Sequence, residues 1–310
     1  MGAGGRCGET AELRLAAASI HRGEEPPVSG RGGSGTVFIT GCGLGCGFCQ
    51  NYQISRNGMG RVVSPAGFAG ITLALEDAGA ENINIVTGTH AAPAIASGLD
   101  LARERGLTIP VLWNSSAYEN EAVLDLLRDR VDVYLPDLKT LDPQVGARFF
   151  RASDYPRSAV AAILRMLSFR GELRWKNTVK APEDGASPQA ASVLARGVII
   201  RHLIIPGCLE STRQVIEWFH HHARGRALLS LMTQYTCCGG EETAPAASPQ
   251  RYLGREEYER VLEWLTEYEI EEGFYQEPAP GRDWLPDFSR TNPFSSRLSR
   301  PIWHWKAGVL

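Results

Sequence analysis

Directly after a short β-branched run the chain reads Gly41-Cys42-Gly43-Leu44-Gly45-Cys46-Gly47-Phe48-Cys49, three cysteines spaced C-x-x-x-C-x-x-C on a glycine-rich loop. Thiolates are soft ligands that suit zinc or iron–sulfur clusters. Three on one loop can wrap one face of a cubane, and the glycines let the main chain approach its sulfides. Full ligation of a four-iron cluster takes four cysteines. Only three are local here, which for such a cluster would leave one iron open for something that is not protein.

Two other chemistries compete for these thiols. A zinc site needs a distant fourth ligand, for which His21, Cys208 or the Cys237-Cys238 pair are candidates, although zinc knuckles usually come as two paired sets. A thioredoxin-like dithiol at Cys46 and Cys49 leaves Cys42 unexplained. It also needs a helix at once, where Asn51 to Ile54 reads as a loop or short turn. Seven cysteines is an odd number, and their clustering fits a cytoplasmic protein whose thiols bind metal or do chemistry.

The loop must be held by something, and the surrounding pattern says what. Residues 36–40 form a first strand, 82–87 a second, 109–114 a third, 131–135 a fourth, 198–205 a fifth and 228–232 a sixth. Between them lie helical stretches: 64–78, opened by the capping pair Ser64-Pro65; 92–105, closed at Gly106; and 121–128. Residues 143–170 are helical with an interruption near Pro156, and 211–224 and 255–271 follow. Strands alternating with helices at this spacing imply parallel βαβ units with right-handed crossovers. The expected fold class is α/β, a partial (β/α)6 TIM-like barrel. Its active site should lie beyond the C-terminal ends of the strands.

The expected organisation is an irregular N-terminal arm over 1–35, the partial barrel over 36–235, and a C-terminal helix and extended tail over 236–310 packing on the barrel. Residues 172–196 read as an insertion of unassigned fold. Trp284, Trp303 and Trp305 are expected to pin the tail to the body. The arm's run from Gly30 to Gly35 lacks the Gly-Lys-Ser/Thr ending of a phosphate-binding loop.

Composition narrows the classes. At 310 residues, 43% hydrophobic and 22% charged, the chain can bury a full core without disulfides or a structural metal. A net charge of −3 argues against a nucleic-acid binder that works by phosphate neutralisation. No stretch of about 20 apolar residues is present, so no membrane span is expected. The first residues lack the basic-then-apolar pattern of a signal peptide.

The cysteine loop with aromatic Phe48 before its last cysteine resembles the radical S-adenosylmethionine (SAM) enzymes. More closely, GSGTVFITGCGLGCGFCQNYQIS (33–55) is similar to the branch of the pyruvate formate-lyase activating enzyme. The resemblance extends through VLWNSSAYE, VDVYLPDLK, IIRHLIIPG and LSLMTQY and covers roughly residues 20–235. It implies that Cys42, Cys46 and Cys49 hold a [4Fe-4S] cluster whose open iron is chelated by SAM. Reduction then cleaves SAM to a 5'-deoxyadenosyl radical that abstracts hydrogen from a substrate.

The resemblance also implies roles for strand-end residues. Phe48 packs on the cluster or the adenine. The family's Gly-Gly-Glu-like stretch is replaced by Thr87-Gly88-Thr89-His90, which offers Thr87, Gly88 and Thr89 to the cofactor but no carboxylate. Asn114, Ser115 and Ser116 stand where the carboxylate or ribose is held. Asp137 and Lys139 match an Asp-x-Lys element, and alternation puts them on one side of an extended segment. On the fifth strand, Arg201 and His202 interrupt an apolar run. They face opposite ways, so one of them, with His202 taken as a cofactor contact, points into the barrel. Gln234 and Tyr235 belong to the substrate end.

The function implied is a radical SAM oxidoreductase that generates a glycyl radical on a partner protein, or runs the same chemistry on a small molecule or peptide. A reductant such as flavodoxin or ferredoxin would be needed. From another class, a non-catalytic iron–sulfur electron-transfer protein would require a fourth thiolate and no SAM pocket.

Overall fold

The structure is a computed structural model and describes residues 5–178, 192–236, 248–278 and 284–310. Its strands, in chain order, are β1 (Arg14–His21), β2 (Ser34–Ile39), β3 (Arg61–Val62), β4 (Ile83–Val86), β5 (Val111–Ser115) and β6 (Val133–Pro136). Then come β7 (Arg174–Asn177), β8 (Ser192–Leu203), β9 (Leu228–Met232), β10 (Gly273–Tyr275), β11 (Ser299–His304) and β12 (Gly308–Val309).

The apolar β-branched runs pair as a parallel set in the order β10-β9-β8-β6-β5-β4-β2. The six strands expected from the pattern are all present, and the sheet is not closed. Parallel strands buried on both faces need apolar residues throughout, and Val37, Ile83, Ile85, Val111, Val133 and Ile199 are fully enclosed. A further strand, β10, extends the set; it is only three residues long and too short for a pattern to show.

Helices Pro65–Asp77, Ala92–Glu104, Glu121–Leu127, Tyr155–Arg170, Leu209–His222 and Arg255–Glu267 make the crossovers. Their starts are chemically marked. Ser64 Oγ accepts from the Gly67 N–H at 3.1 Å, Asn120 Oδ1 from Val123 at 3.0 Å and Asp142 Oδ1 from Gln144 at 2.7 Å. Each such cap contributes about 1 kcal/mol. The helical stretch 143–170 breaks at Arg151, whose left-handed φ of 57° ends Pro143–Phe150, and Pro156 sits harmlessly in the first turn of the next helix.

The arm is not irregular. β1 runs antiparallel between β2 and β11, and a short helix, Pro26–Ser29, follows it. The centre of β1 is Ala16, Ala17 and Ala18, a poor β signal; all three are buried, where small side chains let neighbouring layers close in. The tail is extended, as expected. β11 adds to β1 with Trp303 buried, and the Trp305 indole donates to the Phe288 carbonyl at 3.0 Å. The described part of the insertion is β7, antiparallel to the first half of β8; residues 179–191 lie outside the described residues, as do Cys237 and Cys238.

Among the described residues, no helix is long and apolar enough to cross a membrane.

Candidate functional site

The cysteine loop leaves the C-terminal end of β2 and is pinned from below. Its Gly45 and Gly47 N–H groups donate to the carbonyls of Phe150 and Phe149 at 3.3 and 3.1 Å. Those carbonyls end helix Pro143–Phe150 and would otherwise lack partners. Gly41 has φ +95°, and a Cβ there would lie 2.5 Å from Glu9 Cγ and 3.0 Å from His90 Nε2. Only glycine turns the chain here.

Cys42, Cys46 and Cys49 all line one cavity of about 380 Å³ at the strand C-termini. That is within the usual size of small-molecule sites. Cys208, at the start of helix Leu209–His222, does not line it. Cys7 is near enough to Cys42 to be felt electrostatically, but it is turned to the Glu9 carbonyl and is absent from the cavity wall. Among the described residues no three ligating side chains are gathered tightly enough for a single metal ion. A cubane makes a different demand, since its three thiolates bind three separate irons and stand further apart than ligands of one ion. Three thiols on one cavity wall are the kind of donor set that a cluster with one iron free of protein thiolate would use. Of the candidate fourth ligands for zinc, His21 lines the cavity, Cys208 does not, and Cys237 and Cys238 lie outside the described residues.

Burial raises the Cys42 thiol to about 11 and the Cys46 thiol to about 12, with Cys49 adding to both and Lys139 opposing. Phe48, 7% exposed, packs its ring at 5.0 Å from Tyr235 and 5.9 Å from Phe150, keeping water from this side of the loop. Gln50 donates its amide to the Gln234 carbonyl at 2.8 Å and so ties the first barrel loop to the last.

Around the rim stand Thr87, Asn114, Ser115, Ser116, Asp137 and Lys139, all on the cavity wall. Pairing explains the grouping. Val86 is level with Asn114, and Asn114 with Leu135, so the residues that end each strand meet at one height. Thr87 holds φ 63°, a sparse conformation for a β-branched residue, and its N–H donates to the Asn114 carbonyl at 2.9 Å. Lys139 Nζ meets Asp137 Oδ2 at 2.6 Å. Burial opposes the ammonium charge, but Asp137 and Cys46 outweigh it and keep Lys139 protonated. Tyr155, fully buried, gives its hydroxyl to the Asp137 and Ser116 carbonyls at 2.5 and 3.0 Å and accepts from the Lys139 N–H at 2.9 Å.

Three of the expected contacts stand away from the cavity wall. Gly88 lies against the Trp113 ring, where a Cβ would come within 2.8 Å. Thr89 donates to Glu119 at 2.8 Å. His202 is enclosed between the Leu138 carbonyl at 2.7 Å and Thr212 Oγ1 at 3.0 Å, and burial lowers it to about 4, leaving it neutral. The residue facing the cavity is Arg201. His90 packs under Gly41 rather than on the cavity wall.

The pattern also hid two groups. Glu119 accepts from Trp113 Nε1 at 2.6 Å, Ser115 Oγ at 3.0 Å and Thr89 at 2.8 Å, so it braces the β4 and β5 loops from behind. Glu24 and Glu25 clamp Arg201, with Glu24 Oε2 at 2.8 Å from Nη2 and Glu25 Oε1 at 2.8 Å from Nε. Nothing in the arm's local sequence signals a partner 176 residues away. The only hint was that a charge in an apolar strand needs one.

Residues 36–172 match the family model of the Radical SAM superfamily. The matched stretch begins in β2 and takes in the cysteine loop, β4, β5 and β6. An uncharacterised protein of Methanocaldococcus jannaschii is 28% identical over 259 residues, which is 81% of this chain and 67% of that one. Streptococcus suis SuiB, in its structure bound to S-adenosylmethionine, superposes with a TM-score of 0.51 at 13% identity, over 76% of this chain and 47% of its own. The chain thus spans about half the length of that structure, and the likeness is one of fold. A domain of a pyruvate-formate lyase-activating enzyme from Bacteroides vulgatus aligns over 60% of this chain and 91% of its own, at 13% identity and a TM-score of 0.40. The cofactors of the matched superfamily are a [4Fe-4S] cluster and SAM, and the three-thiol donor set accommodates them. Over residues 36–172, a little under half of its length, the chain carries a domain that matches the Radical SAM superfamily.

Proposed function

We propose that this chain is an enzyme that holds a [4Fe-4S] cluster on Cys42, Cys46 and Cys49, binds SAM at the fourth iron and removes a hydrogen atom from a substrate seated in the same cavity. The observation that carries this reading is three loop thiols on one cavity wall, with the other described cysteines off it. When bound and reduced by a one-electron donor such as flavodoxin or ferredoxin, the cluster supplies the electron that splits SAM into methionine and a 5'-deoxyadenosyl radical.

The chain's own residues then bind, orient and exclude water. Lys139 places a positive charge beside Cys46, offsetting thiolate charge in a buried setting. Asn114, Ser115 and Ser116 offer short polar groups to a ribose or carboxylate, and Thr87 offers a hydroxyl and carbonyl in place of the family's missing carboxylate. Glu119 holds Ser115 and the β4 loop in position from outside the cavity. Phe48 and its aromatic neighbours keep the cluster side dry. The resemblance to the activating enzymes supports two finer readings of the hydrogen donor, a glycine of a partner protein or a small molecule or peptide.

Anaerobically reconstituted, dithionite-reduced protein should convert SAM to 5'-deoxyadenosine and methionine. A fully loaded cluster that yields neither product overturns the reading.

A further inference from the structure

The cavity continues beyond the cofactor rim to a second end built by parts of the chain outside the matched domain. Glu24 accepts from Asn84 Nδ2 at 3.2 Å, and Asn84 lies two residues before Val86 on β4, so Glu24 reaches deeper into the barrel than the rim. β1 contributes His21, and the tail contributes Trp284, Phe294 and Leu298. Arm and tail are bonded to each other: the Arg22 N–H donates to the Leu298 carbonyl at 2.8 Å. The tail is in turn fastened to the cysteine-loop side, since the two ends of the Gln53 amide meet Asp287 Oδ1 at 3.1 Å and the Phe288 N–H at 2.7 Å.

This end holds polar nitrogens without hydrogen-bond partners among the described residues. His21 Nδ1 and Trp284 Nε1 are buried and have no hydrogen-bond partner among the described residues, although both residues line the cavity. Arg201 has Nε and Nη2 clamped by Glu24 and Glu25, which leaves Nη1 without a partner among the described residues. A buried polar group without a partner is costly, and native proteins rarely leave one unless a ligand satisfies it. The walls between these nitrogens are apolar: Phe38, Leu203, Met232, Phe294 and Leu298.

Charge selects among ligands. Two carboxylates face one guanidinium, so an anion meets net repulsion. A cation finds the Glu24 oxygens already taken, Oε1 by Asn84 and Oε2 by Arg201. We infer that this end of the cavity is the substrate subsite and takes a small, neutral molecule with carbonyl or amide groups on an apolar body, gripped by the N–H groups of Arg201 and Trp284 and by the His21 ring nitrogen. The inference rests on the radical SAM reading above and names the substrate class for that same cavity.

The test uses the full chain, cluster-loaded but unreduced, with SAM present. Three matched probes are compared by saturation-transfer NMR: neutral N-acetyl-leucinamide, anionic N-acetyl-leucine and cationic leucinamide. The neutral probe should bind tightest. Trp284→Phe and His21→Phe, which keep an aromatic ring and remove its nitrogen, should each weaken it by about two- to tenfold. Preference for either charged probe, no binding of any probe, or binding indifferent to both variants overturns the inference. So does a SAM cleavage rate that responds only to a protein partner. Comparison of the three probes on the wild type decides the matter even if a variant fails to fold. Failure of the underlying reading shows separately, as absence of 5'-deoxyadenosine from the reduced wild type.

Discussion

Lys139 Nζ lies 2.6 Å from Asp137 Oδ2, and the same ammonium is felt at the Cys46 thiol, so one ion pair on β6's exit loop faces the middle cysteine of the cluster loop. Both side chains are largely enclosed, at 19% and 24% exposure, so this is not a solvent-screened surface pair. Removing the cation leaves Asp137 unpaired beside buried thiolates. Lys139→Met is therefore expected to weaken cluster retention and slow SAM cleavage by at least tenfold. Iron content per chain and 5'-deoxyadenosine yield check this.

The raised thiols give a pH dependence. With Cys42 near 11 and Cys46 near 12 through burial, both are protonated in the cluster-free protein at neutral pH and must lose protons to bind iron. Rising pH from 7 to 9 enlarges the thiolate fraction, so reconstitution should speed up across that window and release protons. A rate flat between pH 7 and 9 would speak against buried thiols as ligands.

Gly41→Ala should cost the loop its geometry. The residue sits at φ +95° with Glu9 and His90 pressed against the place a methyl would occupy. Strain of about 1–3 kcal/mol concentrates one residue from Cys42. The expected result is a folded protein with reduced iron content, read by circular dichroism and iron analysis together.

Glu119→Ala removes the acceptor shared by Trp113, Ser115 and Thr89, leaving buried donors unmatched at about 1–3 kcal/mol each. Glu119→Gln keeps an acceptor and should lose far less. Burial raises the Glu119 carboxyl above its ordinary value despite those hydrogen bonds. Its contribution to stability is therefore full below the ordinary carboxylate pKa and is lost as pH rises through the elevated folded value. Denaturant melts of wild type and Glu119→Gln from pH 4 upward should show the wild type losing more stability.

Much of this was legible in the residues. The six principal strands announce themselves as apolar β-branched runs between capped helices, and the rule that sites lie at strand C-termini brought Thr87, Asn114, Ser115, Asp137 and Lys139 to one rim. What stayed hidden depended on partners far away in sequence. β1 is an alanine-rich strand whose fit is decided by its neighbours, and β10 is three residues long. Glu24 and Glu25 look like ordinary surface acids until Arg201 arrives from β8. Alternation placed Arg201 and His202 on opposite faces but not which one faces inward. The structure turns Arg201 to the cavity and His202 to Leu138 and Thr212.

The central claim is a cluster with three protein thiolates and one iron free for SAM. Its most direct measurement is the electron paramagnetic resonance spectrum of the reduced, reconstituted protein before and after adding SAM, run beside Cys7→Ser and Cys208→Ser. A spectrum that changes on SAM addition in all three proteins, with full iron content, is the expected result. An unchanged spectrum in the wild type, or loss of the cluster in Cys7→Ser or Cys208→Ser, would contradict it.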